Sequence, residues 1–491
     1  MTGNRAPTAG GDTLPPPRNL AGVLRQYPEY KGSGVGWVGK VPDHWQVMPG
    51  RACYTEKKEP NTGLKEKTVL SLSYGKIVVK PVEKLHGLVP ESFETYQIVD
   101  PGDIIIRPTD LQNDWNSLRF GLSHNRGIIT SAYMCFRTKK NIDTRYGHLL
   151  LHTYDLNKVF YGLGSGLRQN LDWRDFKYLP CLVPPLPEQS SIVKFLEGVE
   201  KRIRHYILSK RKLIELLNEQ KQAIVNQAVT RGIDPNVRLK PSGIEWLWDV
   251  PEKWKVLPFT KYVKEKADYR GATPEKVDNG IFLITAKNVK KGWIDYEISK
   301  EFIRPELYSQ IMRRGLPKVG DLLLTTEAPL GNVALIDQEK IALAQRIVRF
   351  RMNEQFILPR YALYSLLSDY FQNQLLCRST GSTAEGIKAS KLPSLRILCP
   401  SLEEQKKIIS IIESETKKLN DSIQMIQSEI SLIHEYHFRL ITDVVTGKID
   451  VRNIEILDEM PVDDDVVEEM DELDDNDDNH ADDNDDDEND K

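Results

Sequence analysis

Four segments of this 491-residue chain occur twice, in the same order and at nearly one spacing. Gly34 to Arg51 answers Ser242 to Phe259, with Trp37, Pro42 and Trp45 matched by Trp246, Pro251 and Trp254. Pro101 to Asp110 answers Val319 to Pro329, and Ile128 to Lys139 answers Ile341 to Met352. Gly162 to Leu196 answers Ser379 to Ile412. The offset stays between 209 and 218 residues. Such self-similarity describes a chain folded as two copies of one unit. Each copy reads as a globular domain of roughly 150 residues followed by a long helix.

The globular parts read as mixed strand and helix. Asp103-Ile104-Ile105-Ile106 and Asp321-Leu322-Leu323-Leu324 are short apolar runs after a Gly turn, as buried strands are. Tyr361 to Leu376 is apolar at helical spacing and reads as one helix. The first long helix starts at Pro187, with Glu188 in its first turn where a carboxylate suits the dipole. Its seam runs Ile192, Leu196, Val199, Ile203, Tyr206, Lys210, Leu213, Leu217, Gln220, Ile224. The second seam runs Ile412, Thr416, Leu419, Ile423, Ile426, Ile430, Ile433, His437, Leu440, Val444. Both follow the seven-residue pattern of a coiled-coil partner, and about 40 residues make a rod of roughly 60 Å. Gly232 and Gly447 are placed as positive-φ caps. The helices can pack antiparallel on each other, or act only as a dimerisation device.

Charge is divided unevenly. Residues 463–491 hold 18 of the 71 acidic residues and one of the 67 basic ones. The rest of the chain therefore carries 66 basic against 53 acidic residues, a net of +13, which suits a phosphate-bearing partner. The tail's composition argues disorder. The tail reads as a solubilising segment, or as one that competes electrostatically with DNA for the basic body or contacts a partner. Cys53, Cys135, Cys181, Cys377 and Cys399 show no metal or redox spacing and read as free thiols of a reducing, cytoplasmic compartment. No apolar stretch reaches membrane-span length, and residues 1–26 read as a flexible leader.

Motifs of chemistry are missing. Gly34 to Val41 resembles a phosphate loop but has Val41 where Ser or Thr would hold Mg²⁺. His434 and His437 have the wrong spacing for a zinc helix, and no amino-methyltransferase Asn-Pro-Pro-Tyr or nuclease cluster is found. The expectation is a non-enzymatic chain with no metal or cofactor of its own.

DNA-contact candidates are the polar and basic side chains between the repeated blocks. In the first half these are Lys57, Lys58, Tyr74, Lys76, Arg107, Asn113, Asn116 and Arg119. In the second they are Tyr269, Arg270, Lys287, Asn288, Lys290, Lys291 and Arg346. Two small-residue loops at matching places add Ser165, Arg168 and Gln169, and Ser382, Thr383 and Lys388. Their backbone N–H groups and hydroxyls suit a phosphate cradle, or form a plain turn before a strand. The loops differ between the halves, so each half should read a different sequence.

Tyr27 to Lys31 with Gly36-Trp37, and Ser242 to Trp246 with Pro251 to Trp254, resemble the entry to target-recognition domains of type I restriction-modification specificity subunits. Pro184 to Gln189 leading into Ile192-Val193 resembles the start of that family's central helix. Pro400 to Gln405 with Ile408-Ile409 resembles the start of its distal helix, and Thr446 to Asp450 the end. The resemblance covers about residues 27–453. It implies an α+β, pseudo-twofold molecule whose two recognition domains are separated and joined by two long antiparallel coiled-coil helices. The expected segments are a leader at 1–26, recognition domains at 27–186 and 234–400, helices at 187–233 and 401–450, and an acidic tail at 451–491.

It also implies a non-catalytic partner of two methyltransferase subunits and up to two restriction subunits. S-adenosylmethionine, ATP and Mg²⁺ would belong to those partners. Each domain would read half of a bipartite double-stranded DNA target, with the helices setting the spacer. The acidic tail departs from the family's pattern. The competing reading is a coiled-coil scaffold with incidental DNA affinity.

Overall fold

The computed structural model describes residues 24–73, 75–81, 92–112, 114, 118–163, 170–244, 247–269, 274–380 and 386–454. The expected leader up to residue 23 and the tail from residue 455 lie outside them. The chain forms two compact units. One takes residues up to Ser209 and from Glu429 onward, and the other takes Lys210–Ser428.

Five helices matter here: α1 (Thr144–Leu156), α2 (Leu186–Arg231), α3 (Pro359–Leu367), α4 (Asp369–Leu376) and α5 (Leu402–Val445). The long helices α2 and α5 are not separate segments. The beginning of α2 and the end of α5 belong to the first unit, and the end of α2 and the beginning of α5 to the second. No described helix is long and apolar enough to cross a membrane.

In the first unit the strands are β1 (Gln46–Pro49), β2 (Tyr54–Lys57), β3 (Leu70–Ser73), β4 (Lys76–Val79), β5 (Ile104–Ile106), β6 (Phe120–Leu122), β7 (Met134–Thr138) and β8 (Pro180–Val183). The main sheet has the order β2-β7-β5-β6-β4-β3, and β8 pairs with β1. In the second unit they are β9 (Lys255–Pro258), β10 (Val263–Asp268), β11 (Ile281–Ile284), β12 (Leu322–Thr326), β13 (Leu330–Leu335), β14 (Ala342–Leu343), β15 (Ile347–Met352) and β16 (Arg396–Cys399). The sheet has the order β10-β15-β12-β13, and β16 pairs with β9. The antiparallel core β2-β7-β5-β6 therefore returns as β10-β15-β12-β13.

The two central strands, β5 and β12, are buried at every position, as their unbroken apolar runs demand. Around β5 lie Phe120, Phe136, Tyr146, Leu150 and Phe176, joined by Ile192, Leu196 and Val199 of α2 and by Leu440 and Val444 of α5. Around β12 lie Phe259, Phe350, Tyr361 and Phe371, joined by Val225 and Val229 of α2 and by Ile408 and Ile412 of α5.

Details recur with the topology. Trp45 Nε1 donates to Glu188 at the start of α2 (2.9 Å), and Trp254 Nε1 donates to Glu404 at the start of α5 (3.0 Å). Gln189 accepts from the Asp143 N–H and donates to the Pro184 carbonyl, and Gln405 accepts from the Leu358 N–H and donates to the Pro400 carbonyl. Tyr146 donates to the Leu182 carbonyl as Tyr361 does to that of Leu398.

Gly232 and Gly447 both follow their helix with φ of +76°, the left-handed turn that favours glycine. A side chain at Gly447 would also strike Pro42 and Trp45, and one at Gly232 would crowd Trp254. Each tryptophan is thus held between the start of one long helix and the end of the other.

The long seams are covered unevenly. The α5 series is buried or half-buried at all ten expected positions. On α2, Leu213 and Gln220 are exposed. Tyr361 to Leu376 is two helices rather than one. Ser368 is extended between α3 and α4, and the side chain of Asn226 caps the Asp369 N–H (2.9 Å). The five cysteines are free, with only Cys377 exposed, and burial pushes the Cys135 thiol up to about 12.

His148 and His152, one turn apart on α1, are stacked inside the first unit at 5.9 Å. Burial depresses His148 to about 4 and His152 to about 3, helped at His152 by His148 and by His437 of α5. At His148 the hydrogen bond to the Phe120 carbonyl and, less so, the Glu200 carboxylate only partly oppose this. A histidine lowered in the folded state favours the neutral form. Its stabilisation is complete above the unfolded value of about 6.5 and is lost as pH falls through the folded value. Urea unfolding should therefore show stability falling between pH 6.5 and 4, at up to about 1.4 kcal/mol per pH unit for each ring. A double His148→Phe, His152→Leu variant should flatten that slope.

Candidate nucleic-acid interface

A basic body can offer its cations to DNA only where its own carboxylates have not claimed them. The Gly turn before each central strand ends in a buried aspartate, and each aspartate claims cations. Asp103 accepts from Lys57 Nζ (2.8 Å) and Arg137 Nε (2.9 Å), and folds back to the Asp100 N–H (2.8 Å). Asp321 accepts from Arg349 Nη1, Arg351 Nε and Arg351 Nη2, each at 2.8 Å, and folds back to the Lys318 N–H (3.0 Å). Hydrogen bonds from Lys57 and Arg137 hold the Asp100 carboxyl below the usual carboxylate range. The Asp321 carboxylate raises Arg351 above the usual arginine value. These pairs stitch β2 to β5 and β7, and β12 to β15.

The structure withdraws several sequence candidates from any DNA surface. Lys57 is occupied as just described, and its side chain is 11% exposed. Arg119 is fully buried and donates to the carbonyls of Thr109 (2.7 Å) and Asp114 (2.6 Å) and to the hydroxyl of Tyr161 (3.3 Å). Tyr269 is buried and donates to the Gly315 carbonyl. Asn288 is buried and braces a loop with both ends of its amide. All four are polar residues spent on backbone and charge satisfaction, which spacing alone does not distinguish from surface contacts.

Other candidates remain at the surface. Lys58 is exposed and pairs with Glu56 (2.9 Å) beside an open cleft bordered by Tyr133, Asp172, Trp173 and Arg174. Lys76 is exposed on β4. Arg107 is partly exposed, 3.5 Å from Asp114. Arg346 is exposed, with φ of +73° and Glu327 at 3.8 Å. Lys388 is exposed at the start of a short 3-10 turn. Tyr74, Asn113, Asn116, Ser165, Arg168, Gln169, Arg270, Ser382 and Thr383 lie outside the described residues.

The flanks of the two matching small-residue loops are described, and they are held alike. The Leu171 N–H donates to the Pro108 carbonyl beyond β5 (2.8 Å), and the Ile387 N–H to the Thr326 carbonyl at the end of β12 (2.9 Å). Both loops are thereby anchored at the same end of their central strand.

The second unit brings Lys287, Lys290 and Lys291 together on one loop after β11. Asn288 Oδ1 accepts from the Thr285 N–H (2.8 Å) and hydroxyl (2.7 Å), while its Nδ2 donates to the carbonyls of Asp295 (2.8 Å) and Ser299 (2.9 Å). Asn332 Nδ2, from β13, donates to the Val289 carbonyl (2.7 Å). None of the three lysines carries an ion pair among the described residues. Lys287 and Lys291 are exposed and Lys290 is half-buried. A braced loop of this kind offers uncommitted positive charge at the surface. The sequence candidates omitted Trp293 of this loop, whose signal was the Lys-Lys-Gly-Trp turn.

Residues 284–432 match the family described as type I restriction modification DNA specificity domain. Over 365 residues the chain is 27% identical to the type I restriction enzyme MjaVIII specificity subunit of Methanocaldococcus jannaschii, covering 72% of this chain and 82% of that protein. The putative type I restriction enzyme MjaX specificity subunit of the same organism is 22% identical over 451 residues, covering 88% of this chain and 99% of that protein. A solved chain from work on complex assembly and conformational transition of the type I R-M system has a TM-score of 0.56 at 14% identity, covering 83% of this chain and 99% of that one. That likeness is one of fold.

The carboxylate frame and the lysine loop should separate in a mutational test. Asp321→Asn leaves the buried Arg349 without its 2.8 Å carboxylate partner and should destabilise the protein by about 3–5 kcal/mol in urea unfolding. Lys287→Ala and Lys291→Ala should leave the unfolding midpoint where it was.

Proposed function

We infer that this chain belongs to the type I restriction-modification specificity subunits and that it is the part of such a complex that recognises a DNA sequence. The observation that carries this reading is one frame used twice with different loops. Both units build the same antiparallel core, buried aspartate and tryptophan–glutamate contact. They differ in what they mount on it, since the lysine loop after β11 belongs to the second unit. A shared frame supports a shared mode of docking, and unlike loops support unlike half-sites. The target is then asymmetric and interrupted.

In this reading phosphate contacts from residues such as Lys287, Lys291, Lys58 and Lys388 position the chain, and loop side chains reach base edges. Lys76, Arg107 and Arg346 stand in the same role, as do the candidates outside the described residues. The chain itself performs no chemistry. S-adenosylmethionine, ATP and Mg²⁺ serve partner subunits.

Two methyltransferase subunits dock on the antiparallel long helices, joined in full restriction complexes by restriction subunits, and helix length sets the spacer of the target. Support for docking comes from apolar side chains left in solvent: Leu213 and Leu216 on α2, and Met425, Leu432 and Tyr436 on α5. Leu432 and Tyr436 are four residues apart, on one stripe of their helix. Exposed apolar stripes of this kind mark protein contacts.

Methylation sequencing of DNA from cells making the chain with its methyltransferase partner tests the reading. A split adenine-methylated motif present only with the chain is expected. An unchanged methylome, with the partner active, would favour the scaffold instead. Separately, Leu432→Lys with Tyr436→Lys should cut co-purification of the methyltransferase at least about tenfold while free-chain stability holds. Undiminished capture would remove this stripe from the docking surface.

A further inference from the structure

We propose that Trp293 is a sequence-determining contact of the second unit, carried into a groove of the DNA on a braced hairpin. The proposal rests on the reading of the chain as a DNA specificity subunit, and assigns one residue within it.

Val289 and Ile294 bridge antiparallel, and the Lys290 N–H donates to the Trp293 carbonyl (2.9 Å). Lys291 and Gly292 therefore form a two-residue tip. The Gly292 N–H donates to the Val333 carbonyl of β13 (2.8 Å), which pins the hairpin to the sheet. Val289 and Ile294 are buried beneath it, and Asn288 and Asn332 brace it through the hydrogen bonds given above. The side chain beside the tip is nevertheless a large apolar group that the hairpin leaves in solvent. Trp293 is 56% exposed, while Trp45 and Trp254, which serve the frame, are 0% and 1% exposed.

A braced hairpin with an exposed indole among three uncommitted lysines has a specific chemistry. A narrow turn of this kind can enter a groove, lysines meet phosphates on its walls, and a large apolar ring packs on thymine methyl groups or wedges against a base step. The nearest carboxylate in sequence, Asp295, accepts from the N–H groups of Glu297 (3.0 Å) and Ile298 (3.2 Å). Bracing matters because a backbone already held in place loses little entropy on binding.

The test uses the full chain with its methyltransferase partner, in wild-type, Trp293→Ala, Trp293→Phe and Lys287→Ala/Lys291→Ala forms. Methylation sequencing and duplex binding over a salt series are the readouts. For Trp293→Ala, about tenfold weaker binding of the cognate duplex is expected, with one half of the motif relaxed and the other half kept. Trp293→Phe should recover part of both. The double lysine variant should keep the motif and lower the salt slope by about 1.8.

Two results overturn the proposal. Trp293→Ala with an unchanged motif and affinity makes the residue idle toward DNA. The same result with reduced capture of the methyltransferase makes it a protein contact. A wild-type complex with no split motif is the failure of the underlying reading, and it would appear before any variant is compared.

Discussion

Each unit depends on one hydrogen bond between an indole and a carboxylate at the head of a long helix. Trp45 meets Glu188 and Trp254 meets Glu404. The glutamate lies in the first turn, where the helix dipole favours negative charge, and the buried indole N–H would otherwise lack a partner. Strand pairing supplies the geometry, because β8 and β16 run directly into α2 and α5 and lie beside the strands that follow the tryptophans. The left-handed glycine at the end of the other long helix closes the far side of each ring. Helix start, helix end and sheet are fixed at one point.

The first unit reinforces this point more than the second does. Glu188 also accepts from Tyr27 (2.6 Å) and contacts His44 Nε2 (2.7 Å), while the Arg452 guanidinium lies over the Tyr27 ring. These residues come from opposite ends of the described chain, where the Asp450 N–H also donates to the Arg25 carbonyl (2.8 Å). In the second unit the corresponding connection is covalent, since the chain runs on from Gly232 through the paired strands Leu239–Ile244 and Leu247–Pro251 to β9. Polar contacts hold in one unit what the backbone holds in the other.

The same accounting decides which cations face a partner. Asp103 and Asp321 are buried at the edge of their central strands, and a buried carboxylate is stable only with charge and hydrogen bonds around it. They therefore pair with Lys57, Arg137, Arg349 and Arg351 inside the fold, of which Arg137 alone stays more than half exposed. The lysines of the hairpin after β11 escape because the buried Asn288 and half-buried Asn332 amides, rather than carboxylates, brace that loop. Amides satisfy backbone groups without drawing in a cation. A net charge of +13 over the body thus overstates what is available to DNA.

The repeat, the two long helices, their glycine caps and the α5 seam were legible in the sequence, because each rests on local spacing or on backbone conformations that few residues adopt. The shared order of four strands was not legible, since antiparallel pairing joins segments far apart in the chain. The break at Ser368 was hidden for a related reason: it is held by Asn226 of α2, more than a hundred residues away. Among candidate contacts, sequence named Lys287, Lys290 and Lys291 but set Arg119, Asn288 and Tyr269 beside them on equal terms. Residue type decides what a side chain can bond. Only the tertiary structure decides whether its partner is already inside the fold, because burial and long-range pairing determine which polar groups are satisfied internally and which are left at the surface.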